Sequence, residues 1–310
     1  MARLAYRASK GTLERSTMSN ADKVVVVIGP TGQQGGATAK HLAASGWRVR
    51  ALVRGLQSAK ARVLADAGVE LAPGDMGDRA SLEAAMRGAY GVFSVQPSAG
   101  PAGSGVMWED EARLGRNVAD AAKAAGVKHL IYTSVGGAER NTGIGHFESK
   151  WKIEQYIRSL GVPATIIRPN AFMEILTWPD FGIPRGVLSF FSAPQSRLQL
   201  IAVDDIGRFV ALAFSDPETY VGKSIELAGD SLSGVQLAEA ISRATNRSIP
   251  YAQIPGEILR QNPSLERLAV FASEDGGKAD IAALRKLHPG LLTFDEWLAR
   301  SGKALFQALL

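Results

Sequence analysis

Residues 24–36 read VVVVIGPTGQQGG. Four valines and an isoleucine make an unbroken β-branched run, the pattern of a central parallel strand buried on both faces. Gly29, Gly32 and Gly35 follow at once, and a helical pattern runs from Gly35 to Ala44. A strand, a tight glycine turn and a helix N-terminus together make an anion site. Backbone N–H groups and the positive end of the helix dipole point at a phosphate, and missing Cβ atoms let it come close. The spacing is G-x-x-G-x-x-G rather than the tighter G-x-G-x-x-G. Three glycines alone also mark ordinary turns, but here the strand before and the helix after supply the required context. The stretch implies a dinucleotide site built on Gly29, Thr31, Gly32, Gln33, Gln34 and Gly35.

Outward from this loop, strand and helix patterns alternate. Strands are expected at residues 48–53, 69–72, 92–96, 129–133 and 164–168. Helices are expected at 58–67, 81–87, 108–125 and 147–160, with a Gly/Pro/Ser loop at 97–105. Such alternation predicts right-handed βαβ units and an α/β fold with a doubly wound parallel sheet. After Asn170 the rhythm breaks. Phe172, Trp178, Pro179, Phe181, Pro184, Phe190 and Phe191 cluster, and this group reads either as plain core or as the wall of a ligand site. Helical patterns return at 204–214 and 234–244, and Thr293-Phe294-Asp295-Glu296 is a capping box. The expected organisation is an irregular extension at 1–21, a dinucleotide-binding core at 22–170 rejoined by part of 198–228, and a smaller α+β lobe at 171–310. That lobe is expected over the carboxyl edge of the sheet.

Bulk composition excludes several function classes. The chain of 310 residues has no cysteine, so disulfides, thiolate nucleophiles and iron–sulfur ligation are out. A reducing cytoplasm suits that composition. The four histidines are scattered and no H-E-x-x-H occurs, so no metal site is expected. The net charge of +5 invites a nucleic-acid reading. Arg3, Arg7, Lys10 and Arg15 against Glu14 place +3 of it before residue 21, leaving +2 for the body. No basic block with interleaved aromatics follows, so direct nucleic-acid binding is not expected. No apolar run approaches the roughly 18–20 residues of a membrane span. The first residues are Arg- and Ser-bearing and poor in acids, which fits a transit peptide and equally an extension ahead of a start at Met18.

Cofactor type is read at the end of the second strand. An acidic residue there would bind a ribose 2′-hydroxyl and favour NAD. This chain has Val53-Arg54-Gly55 instead, with Lys60 nearby. A guanidinium can clasp a 2′-phosphate through two parallel charged hydrogen bonds, so NADP(H) is expected over NAD(H). Asp75 and Met76, after the third strand, are expected at the adenine edge. Val95 and Gln96, after the fourth, are expected at the middle of the cofactor.

These residues resemble the NmrA-like family, an atypical branch of the short-chain dehydrogenase/reductases. The resemblance rests on Gly29-Pro30-Thr31-Gly32-Gln33-Gln34-Gly35, Arg54, Gly74-Asp75 and Tyr132-Thr133-Ser134. It continues through His146-Phe147-Glu148-Ser149-Lys150, Gly161-Val162-Pro163, Arg168-Pro169-Asn170-Ala171-Phe172 and Phe294-Asp295-Glu296-Trp297-Leu298. It covers about residues 22–300. It implies a Rossmann core, a small C-terminal lobe and NAD(P) binding, with Asn170 and Phe172 added to the cofactor set. It implies two kinds of function: redox-sensing regulators that need no turnover, and reductases.

The wider superfamily uses Ser, Tyr and Lys, with Tyr four residues before Lys, the Tyr protonating a carbonyl. The only Y-x-x-x-K here is Tyr6–Lys10, ahead of the first strand, where it cannot face a nicotinamide. At the matching place His146 stands four residues before Lys150. Lys150 matches the ribose and general-acid lysine. His146 reads as an acid with a pKa near neutrality, or as a surface histidine. Ser134 matches the serine position, or caps a strand. The expected function is therefore a cofactor-binding, redox-sensing regulator with weak or no hydride transfer. The alternative is an NADPH-dependent reductase of a small quinone, enone or aromatic carbonyl compound, with Lys150 as proton donor and His146 assisting. A regulatory partner protein is compatible with the first reading.

Overall fold

The computed structural model describes residues 19–98, 105, 107–274 and 276–310. The Tyr6–Lys10 pair and most of the 97–105 loop lie outside the described residues.

The valine run forms β1 (Val24–Val27), buried along its whole length. The glycine turn leads into α1 (Gln33–Ala44), then β2 (Arg48–Val53), α2 (Ala59–Asp66), β3 (Glu70–Pro73) and α3 (Arg79–Met86). β4 (Gly91–Ser94), α4 (Trp108–Ala124), β5 (His129–Thr133), α5 (Gly145–Leu160) and β6 (Ala164–Pro169) complete the alternation. The strands lie in the order β3-β2-β1-β4-β5-β6, all parallel, with a seventh strand beyond β6. This is a doubly wound Rossmann sheet, and its strand order reverses between β1 and β4. Burial on both faces explains why these strands are apolar throughout rather than alternating. One face packs Val24, Val26, Val92, Leu130 and Tyr132 against α3, α4 and α5. The other packs Val25, Val27, Phe93 and Ile131 against α1 and a later helix.

β4 stops two residues short of the expected 96. Val95 and Gln96 leave the sheet at the point where its order reverses, and so become free to wall a cleft.

After β7 (Ala171–Phe172) the chain builds a second core around Met173, Leu176, Leu188, Phe190, Leu237, Ile241, Phe294 and Trp297. β8 (Leu188–Phe190) and β9 (Arg197–Ile201) precede α6 (Val203–Ser215). α6 leaves the lobe and packs on α1 so closely that a Cβ on Gly207 would stand 2.6 Å from the Ala37 backbone. α7 (Pro217–Tyr220) leads to β10 (Ser224–Leu227), which pairs parallel with β6 as the seventh strand. β11 (Asp230–Ser233) pairs antiparallel with β9, and β12 (Tyr251–Gln253) pairs with β8. The helices α8 (Gly234–Thr245), α9 (Gly256–Arg260), α10 (Pro263–Glu274) and α11 (Ile281–Leu287) follow. α12 (Phe294–Trp297) opens on the expected capping box, Thr293 and Glu296 satisfying each other's backbone N–H. α13 (Lys303–Gln307) closes the chain. Among the described residues no helix is long and apolar enough to cross a membrane.

Candidate functional site

A cleft of about 790 Å³ opens at the carboxyl edge of β1, β2, β3 and β4, where the strand order reverses. Its floor is the glycine turn. Gly29 has φ +67°, in the left-handed region that a side chain disfavours, and its carbonyl accepts the Gly32 N–H at 3.1 Å. A Cβ on Gly35 would fall 2.0 Å from the Gly29 oxygen, so this position must be glycine for the turn to close under α1. A Cβ on Gly32 would meet the same oxygen at 3.4 Å, which is tolerable contact. Gly32 is the N-cap of α1 and supplies no side-chain acceptor; the first turn holds no acid. The leading N–H groups of a 12-residue helix therefore face the cleft without an internal anion to satisfy them.

The cleft wall includes Gly29, Thr31, Gly32, Gln33, Gln34, Gly35, Arg54, Asp75, Met76, Val95, Gln96 and Phe172. Arg54 is exposed at the end of β2, with no acid beside it on that strand. The Asp75 carboxylate closes a local turn by accepting the Gly77 N–H at 2.7 Å. Gln34 is tied across the sheet by the Thr133 hydroxyl, 2.6 Å from its Oε1.

Three expected cofactor residues are off the wall: Lys60, Asn170 and Lys150, the ribose lysine. Lys60 sits exposed in the first turn of α2, while Ser58, that helix's N-cap, reaches the cleft instead. Asn170 is buried, and its amide donates to Gln199 Oε1 at 3.3 Å, Glu226 Oε1 at 3.2 Å and the Leu227 carbonyl at 3.2 Å. It holds β10 and the lobe together rather than facing the cleft. The sequence reading also missed Arg113 and Leu114, which reach the cleft from α4. Nothing local marks them, because only the packing of α4 against α3 and β4 brings them there. Of the aromatic cluster, Phe172 is on the wall, whereas Phe181, Phe190 and Phe191 stack within the lobe core.

The three expected catalytic residues lie outside the cleft wall. Lys150, on α5, is mostly buried; its ammonium pairs with Glu111 of α4 and donates to Ser98 Oγ at 3.1 Å. Ser149 Oγ donates to the other Glu111 oxygen at 2.8 Å. His146 is half-buried, its ring edge-on to Phe147. Burial, with the Lys150 charge adding to it, brings its pKa down to about 3. This corrects the expectation of a near-neutral acid: the imidazole is uncharged at pH 7 and offers a hydrogen bond rather than a labile proton. Gln96 Oε1, the Tyr132 hydroxyl and Ser134 Oγ are buried with no hydrogen-bond partner among the described residues. Burial and the carboxylates of Glu111 and Glu154 push the Tyr132 phenol well above its usual value.

The profile of the NmrA-like family matches residues 21–298. The chain is 30% identical to the NmrA-like family domain-containing oxidoreductase FrzB of Cladobotryum sp, over 74% of this chain and 76% of that one. It is 29% identical to the nitrogen metabolite repression protein nmrA of Emericella nidulans, over 79% and 72%. Among solved structures, the NADPH-dependent quinone oxidoreductase QOR2 of Escherichia coli, complexed with NADPH, superposes with a TM-score of 0.74 at 25% identity, covering 89% of this chain and 98% of that one.

Proposed function

The chain belongs to the NmrA-like family, and on that premise we propose that it is an NADP(H)-binding regulator that reports cofactor state with little or no hydride transfer. One observation carries the cofactor reading. The uncapped N-terminus of α1 and the exposed Arg54 share one cleft, at the reversal of a parallel sheet, with no carboxylate at the end of β2. The leading N–H groups of α1 would take the pyrophosphate, and Gly32 leaves room for it. Arg54 would take the 2′-phosphate as a bidentate partner. NADP(H), when bound, would supply the hydride chemistry. The regulatory reading is supported by what stands at the other end. No tyrosine precedes Lys150 at the acid position, His146 is uncharged, and the Lys150 ammonium is engaged by Glu111.

A second reading is a reductase of a small uncharged acceptor. It is favoured by Gln96, which lines the cleft and whose side-chain oxygen has no partner among the described residues, so that a polar ligand could satisfy it. One experiment separates the two. The parent protein is titrated with NADPH and with NADH, then mixed with NADPH and a panel of quinones, enones and aldehydes. Binding with no oxidation of NADPH supports the regulator; oxidation by a panel member supports the reductase. Arg54→Ala should weaken NADPH by about 30- to 150-fold, the worth of a charge-assisted pair, and leave NADH nearly unchanged. Equal weakening of both would remove Arg54 from the 2′-phosphate.

A further inference from the structure

We propose that Glu111 is the positioning residue of Lys150, and that through Lys150 it fixes the segment 95–98 that walls the cleft. The inference rests on the cofactor reading for its consequence, but the geometry exists without it. Glu111 stands in the first turn of α4, where an acid usually serves the helix dipole from the solvent side. Here it is 1% exposed. A carboxylate so deeply buried is stable only if it is paired and its oxygens are hydrogen-bonded. Both conditions are met: Lys150 of α5 holds one oxygen and Ser149 holds the other.

The arrangement is directional. Lys150 has a flexible four-carbon stem and three donors, so by itself its head would sample several positions. Glu111 pins the head from α4. One further donor then reaches Ser98 Oγ at 3.1 Å, in the strand-leaving segment that carries Val95, Gln96 and Pro97 on the cleft wall. Three pieces of chain are thereby joined at one nitrogen: α4, α5 and the segment after β4. Removing the carboxylate should release both the lysine and the wall. Within the cofactor reading, this makes Glu111 a determinant of affinity although it touches no ligand.

The test uses Glu111→Gln, Lys150→Met, the double variant and Glu111→Asp in the full chain. Two readouts are taken: amide hydrogen exchange of residues 95–98 in the cofactor-free protein, and NADPH affinity. If Glu111 acts through Lys150, either single change should speed exchange at 95–98, and the double variant should be no faster than Lys150→Met. NADPH affinity should fall roughly 10- to 100-fold in Glu111→Gln, fall no further in the double variant than in Lys150→Met, and recover in part in Glu111→Asp. Effects that add in the double variant, or exchange at 95–98 unchanged by either single variant, would overturn the proposal. A parent protein that fails to bind NADPH would overturn the cofactor reading alone, since the exchange result still decides the role of Glu111. Glu111→Gln leaves a buried ammonium unpaired and could unfold; Ser98→Ala cuts the same chain at its far end. It should speed exchange at 95–98, and unchanged exchange in it would refute the link.

Discussion

Gly32 and Gly35 stand three residues apart in one loop, yet a methyl group would meet different surroundings at each. At Gly35 it would overlap the Gly29 carbonyl at 2.0 Å and the Gly29 carbon at 2.5 Å, both backbone atoms. No rotamer relieves that, so Gly35→Val should break the turn and lower stability as well as affinity. At Gly32 the nearest atom is 3.4 Å away, and φ is −92°, which any residue adopts. Gly32→Val should therefore keep the fold and lose NADPH, because its side chain would stand where the pyrophosphate must approach. Thermal melts and NADPH titrations of both variants check this. A Gly32→Val protein that melts like the parent and binds NADPH as well would remove the phosphate from that spot. From sequence alone the two glycines carry the same label; what separates them is the distance between two backbone segments, which spacing does not encode.

Helices α1 and α6 come from distant parts of the chain, and Gly207 lets them touch. A Cβ there would lie 2.6 Å from the carbonyl carbon and oxygen of Ala37 and 2.9 Å from the Thr38 nitrogen. These are helix backbone atoms, so the helices themselves must part. Gly207→Ala should cost about 1–3 kcal/mol despite raising helix propensity, the usual range for overpacking. Urea denaturation gives the value, and an unchanged midpoint would mean that the interface has slack. This contact also shows where sequence reading stops. The strands β1 to β6 are legible because burial on both faces writes an apolar run into each. The strands after β6 are two to five residues long, and several are largely half-exposed, as in Ser224–Leu227 of the main sheet and Tyr251–Gln253 of the lobe, so neither a period of two nor an apolar run survives in those. The parallel pairing of β10 with β6 is not readable, because nothing local marks Ser224–Leu227 as a strand of the main sheet. Within the site, the glycine turn and Arg54 are legible because loop chemistry is local. Glu111 is not, since a charged residue on a helix reads as solvated until a neighbouring helix covers it; Arg113 stays exposed and reaches the cleft only through where α4 packs.

Across the whole molecule, buried histidines should make stability depend on acid. Burial lowers His129 to about 4, and burial with the Lys150 charge lowers His146 to about 3, both from 6.5; His41 moves the same way, chiefly by burial. A histidine held below its unfolded value takes up a proton only when the chain unfolds. Between the two values the unfolded state therefore binds more protons, and stability rises with pH. The stabilising difference is complete above pH 6.5 and is lost progressively as pH falls towards 4 and 3. Glu174 and Asp205 act in the opposite sense, because burial raises their carboxyl groups, so the folded state takes up protons first as acid is added. The histidine contribution itself falls in the window below pH 6.5 and down towards 4. There His129 and His146 together give a slope of up to about 2.7 kcal/mol per pH unit, two protons at about 1.4 kcal/mol each. His129 is the cleaner probe. Its Nε2 lies 2.7 Å from Thr165 Oγ1, its ring meets Phe214 edge-on, and its Nδ1 has no partner among the described residues, so nothing stabilises a second proton. Urea unfolding of the parent and of His129→Gln at pH 7.5, 6.5, 5.5 and 5.0 should give two lines, all four values being chosen to bracket the histidine range of about 6.5. The variant starts lower, having lost a buried hydrogen bond, but falls with a shallower slope than the parent below pH 6.5. Parallel lines would mean that His129 accepts a proton as readily in the folded protein as in the unfolded chain, and that this part of the sheet admits water.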